Sequence, residues 1–141
     1  MNNLIAPKPL WQENGLVLLR VVTGLLVAYH GLEVFKPETM RGYTEWERIK
    51  DLPAALVMVY IGKGAELVCG LLLAAGLFTR LAALFIVIDM LFICFRVAEG
   101  RFWYEDQHPF LFVLLALVFF FTGPVAHSLD HRFFKSRPKY Y

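Results

Sequence analysis

The chain has 141 residues, of which 58% are hydrophobic and 18% charged, and its mean hydropathy is +0.55. That balance excludes an ordinary soluble domain and points to a membrane protein with little sequence left for a separate polar unit. The net charge is only +2, and its basic cluster near the C-terminus is a few residues at a membrane edge, so no nucleic-acid partner is expected.

Residues 1–14 read as a polar, proline-marked lead-in, with Trp11 suited to a membrane interface. No small-residue cleavage site follows the first apolar run, so that run is expected to stay in the mature protein. The first helix is expected over 15–35. Arg20, Gly24, Val27 and Gly31 line one stripe of it, with His30 on the flank and Glu33 further round. Lys36-Pro37 should end it, because the residue before a proline avoids helical geometry. In the loop 38–50, Met40, Tyr43, Trp46 and Ile49 recur every three residues, which predicts a short amphipathic helix on the membrane surface.

The second helix is expected over 53–78, with Pro53 in its first turn. Gly62, Glu66 and Gly70 recur every four residues, so small residues flank a carboxylate that faces protein rather than lipid. Thr79-Arg80 leaves almost no loop, and a third helix over 81–98 should fold back as a tight hairpin. The third helix places Asp89 and Arg96 on one face. A fourth, phenylalanine-rich helix is expected over 107–123, ended by Gly123-Pro124. Each span approaches the roughly 20 residues needed to cross a bilayer. The expected fold is all-α: an antiparallel bundle of four transmembrane helices over 15–126, then a basic tail over 127–141.

Basic residues set orientation. The termini and the central turn hold six of them, against five in the other two loops. Both termini are therefore expected in the cytoplasm of a bacterial inner membrane, with the tail on the anionic leaflet.

Six charges fall within the spans: Arg20, Lys63 and Arg96 against Glu33, Glu66 and Asp89. Such residues are costly in lipid and are candidates for function. Counting depth along each helix, Arg20 and Asp89 land together in the inner half and are expected to form a structural ion pair. His30, Glu33, Lys63, Glu66 and Arg96 land from the middle outward. Two readings stand for this group. One is a polar cavity open to the outer side, with Glu66 and His30 able to exchange protons. The other is a closed hydrogen-bonded network that fixes helix register. Cys69 and Cys94 fall within helices and read as packing residues. Haem ligation by His30 and His108 is disfavoured. No metal-ligand spacing, phosphate loop or serine-nucleophile elbow is present, so no metal is expected.

Several blocks together resemble the DoxX family of small four-helix bacterial membrane proteins. They are Leu19-Arg20…Gly24…Tyr29-His30-Gly31, then Gly64-Ala-Glu66…Gly70…Gly76-Leu-Phe-Thr-Arg80, then Thr122-Gly123-Pro124…Ser128-Leu-Asp130. The family often has a lysine at the position of Val34, and a second glycine after the Gly-Pro pair; this chain has neither. The resemblance implies a subunit of a quinone-linked oxidoreductase or a redox-stress complex. His30 and Glu66 would then be hydrogen-bond or proton partners of a quinone head group, and Lys63 or Arg96 would stabilise reduced oxygen. It also implies a redox partner subunit to deliver electrons, because no motif for a redox centre occurs in the chain. Homo-oligomerisation is compatible with it. The alternatives are a non-catalytic membrane scaffold whose charges lock the helices and, third, a small transporter.

Overall fold

The computed structural model describes residues 10–134 and, within them, an all-helical architecture. The lead-in prolines Pro7 and Pro9 and the tail residues Lys135, Arg137 and Lys139 lie outside the described residues.

Helix α1 spans Gln12–Gly31 and tightens into a 3-10 turn, Leu32–Phe35. It stops where expected: Lys36, before a proline, leaves helical geometry at φ −111° and ψ 90°. Pro37 then opens α2, Pro37–Thr44, followed by the single turn α3, Glu47–Lys50. The expected amphipathic helix is thus two short ones. Met40 and Ile49 are the buried members of the three-residue repeat, while Trp46 is exposed.

Helix α4 spans Ala55–Ala75, beginning two residues after Pro53 rather than on it. It ends at Gly76, whose φ of 69° lets the Leu77 N–H reach back to the Leu72 carbonyl at 2.9 Å. Helix α5, Thr79–Phe92, starts at once and continues as a π-helical turn, Ile93–Val97. The predicted tight hairpin is therefore present. Helix α6 spans Gln107–Thr122, and α7 is the short Leu129–Phe133, whose first turn is capped by Ser128 Oγ accepting from His131 N at 3.1 Å.

The core joins Val27, Leu73, Ala83, Ile86, Ala116 and Phe119 across α1, α4, α5 and α6. Between α1 and α4 there are no intervening side chains at three points. A Cβ added to Gly24 would lie 2.4 Å from Ala74 N, one on Gly70 2.4 Å from Ala28 N, and one on Gly31 2.2 Å from Leu67 N. The two backbones touch, which only glycine permits. Gly62 does not share that contact. It faces α5, where its Cβ would sit 3.4 Å from Asp89 Oδ1. Glu66, midway between the two glycines, is thereby turned inward.

The outside of this assembly is apolar and its inside carries charge. Leu18, Ile61, Phe85 and Phe121 are more than half exposed, whereas Arg20 and Glu66 are 1% and 2% exposed. Two helical stretches, Gln12–Phe35 and Ala55–Ala75, are long and apolar enough to cross a membrane; α6 is apolar but shorter.

Candidate functional site

The buried charges separate into two groups, one at the turn of the α4–α5 hairpin and the other beyond its middle. At the turn end, Arg20 packs against Gly76, where an added Cβ would lie 2.7 Å from its guanidinium carbon. Its Nη2 donates to the His127 carbonyl at 3.0 Å, while Nε and Nη1 have no hydrogen-bond partner among the described residues. Asp130 of α7 reaches the start of α5. Its carboxylate accepts from Phe78 N at 2.7 Å, Thr79 N at 2.8 Å and Thr79 Oγ1 at 2.7 Å, and its own N–H donates to the Gly76 carbonyl at 2.8 Å. The exposed backbone donors of a helix start favour a carboxylate there. The chain after α6 is thus fastened onto the hairpin turn.

The other group lies beneath α2 and α3. Lys63 Nζ donates to Glu66 at 2.9 and 3.2 Å and pairs with Glu33 Oε2 at 3.1 Å. The Tyr43 hydroxyl donates to the same Glu33 oxygen at 2.7 Å. Burial, and then the bond to Glu33, push the Tyr43 phenol up to about 12, so it stays a donor. One cation therefore joins the end of α1, the middle of α4 and the surface helix α2. Exposure rises along the chain of groups, from 2% at Glu66 through 16% at Lys63 to 31% at Glu33.

Beside this cluster is a cavity of about 460 Å³ between α4 and α5, roofed by α2 and α3. Most of its wall is apolar or aromatic, including Trp46, Ile49, Phe85 and Phe92. Its ionisable lining groups are Tyr43, Lys63, Glu66 and Asp89. Ile61, Phe85 and Ile88 border it and are themselves exposed on the apolar outer surface.

The expected residues are only partly brought together. Glu33, Lys63 and Glu66 meet. His30 does not line the cavity; its ring stands 5.2 Å from that of His108 and 6.2 Å from that of Phe112, edge to face, on the α6 side. Arg96 is exposed on the π-helical turn and makes no ion pair among the described residues. The expected Arg20–Asp89 pair is not formed. Arg20 is level with Gly76 and Asp89 with Gly62, 14 residues apart on α4, or about 21 Å of helix. Depth counting failed because α1 is staggered along α4, overshooting the hairpin turn by about two turns of helix. Sequence reasoning therefore missed Asp89 as a cavity residue and Asp130 as a helix cap. Ser128, just after a Gly-Pro break, signals the start of α7, but nothing local signals that Asp130 caps α5.

Apolar surfaces facing outward around buried charges define a helical membrane protein. The chain belongs to the DoxX family, whose profile matches residues 15–99. It is 32% identical over 134 residues to a Mycobacterium tuberculosis protein named "Uncharacterized membrane protein Rv3486", covering 84% of this chain and 81% of that one. A Haemophilus influenzae protein named "Uncharacterized protein" is 33% identical over 144 residues, covering 96% and 99%. A Bacillus subtilis protein named "Putative oxidoreductase CatD" is 29% identical over 126 residues, covering 89% and 91%. No solved structure matches the chain.

Proposed function

We propose that this protein is the membrane-embedded subunit of a quinone-linked oxidoreductase, and that the cavity between α4 and α5 takes the quinone head group. The observation that carries the reading is the cavity itself. It has an apolar, aromatic wall, a few convergent ionisable groups, and exposed apolar residues at its border through which a lipid-dissolved molecule reaches it. The name of the Bacillus subtilis relative agrees with redox chemistry.

The cavity suits a planar ring with two carbonyl oxygens. When bound, a quinone supplies a two-electron, two-proton couple. Electrons come from a partner subunit. Glu66 and Lys63 orient the ring and hold a proton at the carboxylate edge of the cavity, and Glu33 and Tyr43 connect that edge to water. The aromatic wall excludes bulk water. In this reading four helical segments span a bacterial inner membrane: α1 with its 3-10 turn, α4, α5 continued by its π turn, and α6. Both termini are cytoplasmic, and the cavity lies toward the outer face.

A scaffold reading rests on one observation, namely that Lys63 ties α1, α2 and α4 together. The two readings part in mass spectrometry of lipophilic molecules co-purifying with the detergent-extracted protein, wild type beside Glu66→Gln. A quinone present with the wild type and lost from a folded variant is the expected result. No quinone in either sample, with the variant merely unstable, would leave the scaffold.

A further inference from the structure

Asp89 differs from the other charges under α2 and α3. It lines the cavity, and its Oδ2 is buried with no hydrogen-bond partner among the described residues. The groups around it are few. From α4 it faces Lys63, Glu66 and the Cys69 thiol. From α2 the cavity is lined by Tyr43 and, from α3, by Ile49. Helix α6 from Pro109 to Thr122 carries no ionisable side chain. Arg96 lies on the exposed surface about 10 Å further along Asp89's own helix.

Charge bookkeeping then decides the state of Asp89. Among the described residues Lys63 is the one cation in the cavity wall, and its ammonium is already shared between Glu66 and Glu33. Glu33 reaches water; Glu66, at 2% exposed, depends on Lys63. Among the described residues Asp89 forms no ion pair and accepts no backbone N–H. A carboxylate so placed is held as the neutral acid, because an unpaired charge is costly at that depth. A neutral carboxyl is a hydrogen-bond donor as well as an acceptor. Asp89 lines the cavity, so a ligand there can accept from its hydroxyl.

We propose that Asp89 is a binding residue of this cavity: it stands protonated and donates a hydrogen bond to a carbonyl oxygen of a lipophilic ligand entering between α4 and α5. The inference rests on the quinone reading and deepens it. It makes the neutral carbonyl, not a cation, the group recognised. An amine or other organic cation would need the same side chain ionised. Lys63 and Glu66 line the same cavity from α4, next to Asp89, and are left for the rest of the ligand's polar edge. Asp89 and Glu66 thus divide the work, one holding a neutral oxygen and the other sitting within the charged network.

The test uses the full-length protein in detergent with decylubiquinone as the probe. Trp46 lines the cavity, so quinone quenching of its fluorescence reports occupancy; the exposed Trp11 and Trp103 are replaced by phenylalanine to isolate that signal. Asp89→Asn keeps a neutral donor and is expected to bind within about threefold of the wild type, while Asp89→Ala loses about tenfold or more in affinity. The wild type is expected to lose affinity as rising pH removes the Asp89 proton, and Asp89→Asn is not. Thermal unfolding of each variant shows that it is folded. Equal losses in Asp89→Asn and Asp89→Ala would overturn the proton-donor role. So would wild-type affinity in Asp89→Ala, with the cavity reading left standing. A flat wild-type pH profile that persists to strongly alkaline conditions would likewise overturn it. No saturable quenching in the wild type would bring down the cavity reading and this inference with it.

Discussion

Asp130 and Asp89 both engage α5, one at its start and the other about 15 Å further along, and they are treated in opposite ways. Asp130 accepts three hydrogen bonds and is 8% exposed. Asp89 has a buried oxygen with no hydrogen-bond partner among the described residues. The first carboxylate is spent on holding the chain together. The second is left with capacity that the fold does not use. Within one small helical protein, a polar group inside an apolar exterior is structural where the fold fills its bonding positions, and a candidate for ligand contact where the fold leaves them open.

The comparison can be broken from the Asp130 side first. Asp130→Ala strands two backbone N–H groups and the Thr79 hydroxyl, and is expected to lower stability by about 2–4 kcal/mol, read as a drop in the unfolding temperature in detergent. A drop no larger than that of a surface substitution would mean that α7 is not a lock. Tyr43→Phe removes one bond to a half-buried Glu33 and should cost about 1 kcal/mol. Its pH dependence sharpens the point. The phenol titrates higher in the folded protein than in the unfolded chain, so the stability from its neutral form is complete below about pH 10 and is lost as pH rises through about 12. Through the neutral range the wild type and Tyr43→Phe should therefore differ by a constant amount. The smallest effect is expected at Asp89. Asp89→Asn should leave stability within about 0.5 kcal/mol of the wild type, or raise it, because no bond in the fold is lost. A destabilisation matching that of Asp130→Ala would place the two aspartates in one class.

Much of the fold could be read along the chain, because its signals are local. Lys36-Pro37 marks the end of the first helical stretch, Gly76 sits at the end of α4, and Gly123-Pro124 follows α6. The Lys63–Glu66 pair was legible for the same reason, since the two residues are one turn apart on one helix. What failed needed the relation between helices. The pairing of Arg20 with Asp89 assumed that all helices start at one level. The stagger is set by Gly24 and Gly70 meeting across α1 and α4, and neither helix alone encodes it. Height alone groups His30 with Lys63 and Glu66, yet its direction around α1 takes it to His108 and Phe112. Height along a membrane normal is a one-dimensional quantity, and a site is three-dimensional.

The contact of bare backbone between α1 and α4 has a mechanical consequence. Helices that touch through glycine at Gly24, Gly31 and Gly70 have no side-chain layer between them to compress. Room for a guest of varying size must then come from the opposite jaw. That jaw is α5, with its π-helical turn as the pliable stretch, and the lightly built roof of α2 and α3. For the proposed quinone, ring substituents that press toward α5 should be tolerated, and those that press toward α4 should not.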